Sequence, residues 1–272
     1  MWRAFKQVDV FTDTPYAGNP VAVVLGAEGL ETEQMQRFAN WTNLSETTFL
    51  LPPESPEADY RVRIFTPAIE LPFAGHPTLG TCHAWLEARV GESPGHIVQE
   101  CGVGLVPIRR THGGLAFAAP PLLRGGPVDD ETLDRVAAVL GVGRDEFVDA
   151  EWADNGPGWV AVLLADADAV LAVRPSFDEL DVGIAGLHPD GTLEVRAFTP
   201  KNGAMDEDPV TGSLNAALGQ WLLRTGRITA PYMARQGTAL GRCGRVHVSR
   251  DEGGAVWVGG GTVTCVDGEV NL

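Results

Sequence analysis

The chain has 272 residues, and its 20 Lys and Arg against 36 Asp and Glu give a formal net charge of −16. A surface this acidic repels nucleic-acid phosphates and anionic lipid headgroups, which excludes binding to nucleic acid or to a membrane surface as a leading function. Apolar residues make up 44% of the chain, enough for a buried core and too many for a mainly disordered protein. The length fits one large domain or two of about half this size.

Targeting and cofactor signals are weak throughout the sequence. The first ten residues lack the apolar stretch of a secretory signal, and the most apolar later segment, residues 159–173, is too short and too charged to span a bilayer. We therefore expect a soluble cytoplasmic protein. Neither a histidine pair at metal-ligand spacing nor a glycine-rich nucleotide motif after a strand is found, so we expect no metal and no cofactor. The cysteines form no CxxC pair and are expected to be small buried side chains: Cys82, Cys101, Cys243 and Cys265.

Strands and helices are predicted to alternate along the chain, which indicates an α/β protein. The predicted elements of the first half are strand 4–11, helix 31–40, strands 47–51 and 60–66, helix 77–89 ended by Gly91, and short strands near 98, 103–108 and 115–118. Those of the second half are helix 130–140, strands 147–152, 159–164, 184–188 and 193–199, helix 209–224, and short strands from residue 232 onwards. The Pro- and Gly-rich residues 119–127 between the halves predict a linker.

Two short motifs recur at nearly the same spacing in the two halves. Phe65-Thr66-Pro67 returns as Phe198-Thr199-Pro200, and Gly75–Thr81 aligns with Glu207–Ser213 at almost the same offset along the chain. Coincidence between short Pro- and Gly-containing motifs is the alternative, but the agreement of the two offsets within a single position favours an internal duplication. The duplication predicts two similar domains, residues 1–118 and 128–272, that face one another.

Each copy of the motif predicts a proline at the start of a helix. Proline is pre-organised for the first helical position, and the free N–H groups of a first turn form an anion site. His76 and Asp208 precede the two prolines and would point into the same space; the alternative is a polar loop residue and a simple helix cap. Arg63 and Arg196 lie beside the Phe-Thr-Pro motifs and are expected on a solvated strand face. We predict substrate contacts at Gly75, Thr78, Gly80, Thr81, Gly212 and Ser213.

Glu46 is a further candidate, because it stands at the entrance of an apolar strand. A carboxyl group in such surroundings can both accept and release a proton, as an acid/base catalyst must. The alternative is a solvated glutamate at the start of a strand.

Four motifs in chain order resemble the PhzF-like family of phenazine-biosynthesis-type isomerases, which share the fold of diaminopimelate epimerase. They cover nearly the whole chain, together with Arg235-Gln236-Gly237, and are Gly18–Val24, Asn43–Phe49, Ala74–Gly80 and Glu207–Ser213. The resemblance implies two pseudo-symmetric α/β domains, each a curved mixed sheet wrapped around a central helix, with the active site between them. It also implies a homodimer.

The same resemblance implies an enzyme, a cofactor-independent isomerase that moves a proton on a small carboxylate-bearing substrate. The acid/base glutamate of the family falls on Glu46, and its active-site histidine, aspartate and serine fall on His76, Asp208 and Ser213. Epimerase relatives use two opposed cysteines at the helix starts, whereas Cys82 lies one turn further into its helix. We keep two alternatives: an epimerase or racemase of an amino or hydroxy acid, and a non-catalytic binding or regulatory protein.

Overall fold

A computed structural model of the chain describes residues 1–89, 95–201 and 203–272, and it divides into two compact units. Unit 1 comprises Met1–Ala118 and Gly259–Leu272, and unit 2 comprises Ala119–Val258. Gly91, the predicted end of a helix, lies outside the described residues. Across these described ranges, every helix is too short or too polar to cross a membrane.

The elements up to residue 118 all belong to unit 1. They are β1 (Trp2–Val10), β2 (Asn19–Val24), α1 (Thr32–Thr42), β3 (Glu46–Leu51), β4 (Tyr60–Phe65), β5 (Glu70–Leu71), α2 (Gly75–Ala88), β6 (His96–Cys101), β7 (Gly104–Thr111) and β8 (Gly114–Ala118).

The elements that follow form unit 2, until the chain returns to unit 1 near its end. They are β9 (Arg124–Gly126), α3 (Asp130–Leu140), β10 (Asp149–Asp154), β11 (Val160–Leu163), α4 (Ala167–Ala172), β12 (Val182–Leu187), β13 (Leu193–Lys201), β14 (Ala204–Asp208), α5 (Gly212–Arg224), β15 (Tyr232–Gln236), β16 (Gly244–Arg250), β17 (Val256–Gly260) and β18 (Thr262–Asn271). Two short 3-10 turns, Arg144–Glu146 and Thr238–Leu240, complete the list.

The two units pair their strands in the same order and sense. In unit 1, β1 and β2 are antiparallel, β2 and β3 parallel, β3 and β4 antiparallel, and β4 and β6 parallel. In unit 2, β10 and β11 are antiparallel, β11 and β12 parallel, β12 and β13 antiparallel, and β13 and β15 parallel. One helix, α2 or α5, leads into the last strand of each series. This common topology supports the internal duplication.

Each unit contains one helix that is buried on nearly every side. Helix α2 is buried at ten of its 14 residues and packs against β1, β2, β3 and β8, while α5 is buried at ten of its 13 residues and packs against β10 and β16. Both helices have few charged side chains, which allows such an enclosed position. The predicted α/β architecture, a curved mixed sheet around a central helix, is confirmed. Trp85 and Trp221 lie in these helices and are buried, as their apolar surroundings indicate.

The predicted domain boundaries differ from the observed units at two places. Strand β18 pairs with β1 along its length, from Trp2 opposite Asn271 to Val10 opposite Thr262, so residues 259–272 belong to unit 1. The predicted second domain, 128–272, is therefore too long. Residues 119–127 are not a free linker either, because β9 pairs with β10. Of the cysteines, Cys82 is buried as predicted, whereas Cys243 is exposed.

Candidate active site

Three polar side chains meet at one edge of the sheet of unit 1. Asn19 begins β2 and Glu46 begins β3, and these parallel neighbours start at the same edge, with Val21 opposite Glu46. Helix α2 starts there too, with His76 as its second residue. Glu46 Oε2 lies 3.2 Å from His76 Nε2, and the Asn19 amide nitrogen lies 3.3 Å from His76 Nδ1. The structure thus brings the predicted Glu46 and His76 together and adds Asn19.

His76 is held as a neutral imidazole. Its side chain is 4% exposed, and that of Glu46 is 15% exposed. Burial lowers the pKa of His76 to about 3, against a smaller opposing effect of a backbone hydrogen bond with Pro20. A neutral imidazole has one nitrogen that donates and one that accepts. Because the Asn19 amide nitrogen can only donate to Nδ1, the proton of the neutral ring lies on Nε2, which can donate to the Glu46 carboxylate without carrying charge.

The loop before Asn19 is fixed by a second buried carboxylate. Asp9 Oδ2 accepts a hydrogen bond from the backbone N–H of Gly18 at 3.0 Å, and Asp9 is buried in β1. A side chain on Gly18 would place its Cβ 2.1 Å from the carbonyl oxygen of Val10, so only glycine fits. Sequence reasoning missed Asn19 and Asp9 as site residues, although the Gly-Asn-Pro motif that contains Asn19 was a usable signal.

Helix α2 begins at Gly75, two residues before the predicted start. Ala74 has the extended conformation of an N-cap, and the N–H of Thr78 bonds to its carbonyl at 3.2 Å. Proline is tolerated anywhere in a first turn, because those N–H groups have no partner within the helix. Since Pro77 carries no N–H, this turn offers an anion the N–H groups of Gly75 and His76.

Three predicted substrate contacts lie instead in the interior of unit 1. The hydroxyl of Thr78 accepts from Gln99 Nε2 at 2.9 Å, and that of Thr81 donates to Thr48 at 2.8 Å; all four side chains are buried. A Cβ on Gly80 would lie 2.3 Å from a methyl group of a β2 valine, so this glycine allows the helix to approach the sheet. These contacts lie within unit 1, and substrate contacts at the three positions stay a prediction.

Asp208 and Glu207 are strand residues rather than the start of a helix. They end β14, and α5 begins only at Gly212. Successive side chains of a strand point to opposite faces, so the carboxylates of Glu207 and Asp208 point in different directions. Glu207 forms a bidentate pair with Arg196, at 2.8 Å and 3.1 Å, and Arg196 is buried rather than on a solvated face. The Asp208 carboxylate accepts the hydroxyl of Thr211.

Gly212 and Ser213 are the first two residues of α5, as an anion site at its N-terminus requires. Ser213 Oγ accepts the indole N–H of Trp159 at 3.1 Å, and the main-chain oxygen of Ser213 accepts from Asn155 Nδ2 at 2.8 Å. Neither Asn155 nor Trp159 was predicted to belong to a site. Both lie far from Ser213 in sequence, so only the fold reveals them.

Gln236, from the Arg-Gln-Gly motif, holds the segment that leads into α5. Its side chain is buried, and Oε1 accepts the Thr211 N–H at 2.9 Å and the Asn215 amide at 2.8 Å. Its Nε2 donates to the main-chain oxygen of Asp208 at 3.2 Å. Gln236 therefore determines where β14 ends and where α5 begins.

Cys82 lies in helix α2. Burial raises the pKa of the Cys82 thiol to about 12, with a smaller opposing effect of Tyr60, so this sulfur remains protonated. Among the residues of ranges 1–89, 95–201 and 203–272, no three His, Cys, Asp or Glu side chains lie close enough together to hold a metal ion.

The chain is similar in sequence and in fold to known proteins. Residues 8–268 match the family described as phenazine biosynthesis-like protein. "Antisense-enhancing sequence 1" of Schizosaccharomyces pombe is 34% identical over 98% of both chains. The trans-2,3-dihydro-3-hydroxyanthranilate isomerase of Pseudomonas aeruginosa is 35% identical over 97% of this chain and 98% of its own. A crystal structure of a PhzF-family phenazine biosynthesis protein from Bacillus anthracis superposes with a TM-score of 0.83, at 24% identity and full coverage of both chains.

The fold and the matched length define the class, and the chain belongs to the PhzF family of phenazine biosynthesis-like proteins. Within this family it is an isomerase.

Proposed function

We propose that the protein is a cofactor-independent isomerase that moves a proton between two atoms of a small carboxylate-bearing substrate, with Glu46 as the acid and base. The observation that carries this proposal is the contact of 3.2 Å between the Glu46 carboxyl and a buried imidazole whose pKa is about 3. A protonated imidazole would hold the carboxylate as an ion pair. A neutral one leaves Glu46 able to gain and lose a proton.

In the proposed reaction, the proton and the electron pair move only within the substrate and Glu46. The carboxylate of Glu46 takes a proton from one substrate carbon, so a C–H bond breaks and an O–H bond forms. The electron pair of the broken bond moves through the adjacent double bond of the substrate. The carboxylic acid of Glu46 then returns its proton to another carbon, and the enol formed becomes a ketone by a further proton shift. His76 keeps the Glu46 carboxyl oriented during both transfers.

The N-terminus of α5 is proposed to bind the substrate carboxylate. Backbone N–H groups of a first turn and the positive end of the helix dipole attract an anion. Gly212 and Ser213 supply these groups, and they offset locally the net charge of −16. We also assign to Asp208, the position of the family's active-site aspartate, the role of assisting the enol–ketone step. The homodimer and the cytoplasmic location likewise stay predictions.

The test of the proposal is the variant Glu46→Gln. The probe is trans-2,3-dihydro-3-hydroxyanthranilate, because the name of a relative gives this compound as its substrate. Incubation in D₂O followed by NMR measures deuterium that enters the substrate from solvent. General acid–base catalysis contributes about 10²- to 10⁴-fold to rates. We therefore expect the exchange rate of the variant to be at least about 100-fold lower than that of the wild type. Glu57→Gln is the matched control, because Glu57 is exposed in the same unit, and it should exchange like the wild type.

The outcomes separate the proposal from its alternatives. Exchange by Glu46→Gln at the wild-type rate would refute the role of Glu46. Exchange with loss of optical rotation, on amino or hydroxy acids, would identify an epimerase or racemase. Saturable binding of small carboxylates without exchange by the wild type would refute the proposed proton transfer on these compounds.

A further inference from the structure

The turn between β10 and β11 is held in one conformation by its own residues. Asp154 Oδ1 accepts the N–H groups of Gly156 at 2.7 Å and of Gly158 at 2.9 Å. The two glycines have φ angles of 144° and 92°, which side-chain-bearing residues rarely adopt. The turn therefore presents its neighbouring side chains, Asn155 and Trp159, from a fixed backbone.

Both of these side chains contact the same residue of α5. Asn155 donates to the main-chain oxygen of Ser213, and Trp159 donates to its hydroxyl oxygen, at 2.8 Å and 3.1 Å. All three residues are buried. A buried hydrogen bond in unit 2 thus fixes the position of the serine hydroxyl at the N-terminus of the helix.

The indole N–H of Trp159 determines whether the Ser213 hydroxyl can still donate a hydrogen bond. An indole only donates, so Ser213 Oγ is the acceptor in this contact. The serine proton is then available for another partner, and within the described ranges the hydrogen bonds of Ser213 Oγ include no acceptor for it. A hydroxyl that already accepts one hydrogen bond is also a better donor, because such chains polarise one another.

We propose that Trp159 is a positioning residue that turns the Ser213 hydroxyl into a donor to a carboxylate oxygen of the substrate. This inference rests on the proposed function, in which the N-terminus of α5 binds that carboxylate. A purely structural indole, which only satisfies its own N–H in the core, would stabilise the fold without affecting affinity for a carboxylate through Ser213.

The experiment measures the dissociation constant of trans-2,3-dihydro-3-hydroxyanthranilate by calorimetry in the Glu46→Gln background, where turnover is blocked. We expect Trp159→Phe and Ser213→Ala each to weaken binding roughly 3- to 10-fold, the range of one hydrogen bond. The double variant should be no weaker than either single one, because the two residues act through one contact. Trp152→Phe is the matched control, since this indole of unit 2 is buried and its N–H has no hydrogen-bond partner among the described residues; it should bind like the parent.

A second measurement needs no change at Trp159. In the ¹⁵N–¹H spectrum without substrate, Ser213→Ala should shift the Trp159 indole signal and accelerate the exchange of its proton with solvent, while the Trp152 signal stays in place. This measurement supports or refutes the contact even if Trp159→Phe does not fold.

The results distinguish failure of the inference from failure of the proposed function. Weaker binding by Ser213→Ala with unchanged binding by Trp159→Phe overturns the role of Trp159 alone. Additive losses in the double variant, or an unmoved indole signal, do the same. No saturable binding of the probe by the parent overturns both the inference and the proposed substrate class.

Discussion

The buried pair of Arg196 and Glu207 provides a direct test of how the recurrent motif should be interpreted. Glu207 stands beside Asp208 in the motif, where sequence alone suggests a role at the site. In the structure its carboxylate instead holds a guanidinium whose side chain is 4% exposed, and Glu207 itself is 10% exposed. Glu207→Gln removes the charge of the carboxylate and keeps its size.

The expected loss of stability follows from the surroundings of Arg196. Its Nη1 also donates to the carbonyls of Val170 and Val173, at 3.1 Å and 2.7 Å, so the guanidinium cannot move to solvent without losing these bonds. Removing one partner of a buried pair costs about 3–5 kcal/mol. Because glutamine keeps one oxygen that can accept from Arg196, we expect the lower end, about 3 kcal/mol.

Urea unfolding followed by tryptophan fluorescence measures this loss as a lower midpoint, by about 1 M or more for urea slopes of about 1–3 kcal/mol per M. The control is Asp206→Asn on the same strand, whose pair with Lys201 is 53% and 39% exposed. Such exposed pairs contribute about 0–1 kcal/mol. Equal midpoints for the two variants would refute the reasoning, and loss of activity in Glu207→Gln without loss of stability would indicate a role for Glu207 in the reaction.

Three further predictions follow from burial and packing. Burial, helped by nearby Asp154, raises the pKa of Asp181 from 3.8 to about 6; the folded state then binds the proton more tightly, so stability falls by up to about 3 kcal/mol as pH rises from 4 to 6. Asp181→Asn should remove this pH dependence of stability, which is measured as the difference between the urea midpoints at pH 4 and pH 7. Gly80→Ala should destabilise by about 1–3 kcal/mol in urea unfolding, because the new Cβ would lie 2.3 Å from Val21 Cγ1; a stabilised variant would contradict this contact. The ring of His76 should not titrate between pH 5 and pH 8 by NMR, since burial lowers its pKa to about 3; a midpoint near 6.5 would show an exposed ring.

Local sequence patterns predict an element correctly where its own residues determine where it begins and ends. Helix α3 spans Asp130–Leu140 as predicted, because Asp129 caps it and Gly141 ends it in a left-handed conformation. In α1, Met35, Phe38 and Ala39 are buried as their spacing indicates. Motifs in separate segments indicate Glu46 and His76 as site residues, and only the structure shows that the two side chains are in contact.

The helix starts show where local rules fail. A proline is compatible with any position of a first turn, so Pro77 does not identify the first residue of α2. In unit 2 the residues around Pro209 form the end of β14 and a turn held by Gln236, so α5 starts three residues after that proline. Tertiary contacts decide these boundaries, and a motif that repeats at a nearly constant offset does not reveal them.

The supporting residues of the site could not be predicted because their partners are distant in sequence. Asn19 reaches His76 across 57 positions, and Trp159 reaches Ser213 across 54. Asparagine and tryptophan are also common residues in loops and cores, so neither type signals chemistry by itself. Their roles become visible only when the strands place them beside the start of a central helix.

The pairing of β18 with β1 has a consequence for the order in which the protein folds during synthesis. The first strand of unit 1 pairs with a strand that is synthesised after all of unit 2, with Trp2 opposite Asn271. Unit 2 is continuous from residue 119 to 258 and is complete before that partner emerges. We expect unit 2 to fold first. Until β18 is synthesised, one edge of β1 has unpaired backbone N–H and C=O groups that can associate with other chains. A chaperone that binds this nascent chain should therefore recognise strand β1 until β18 has been synthesised.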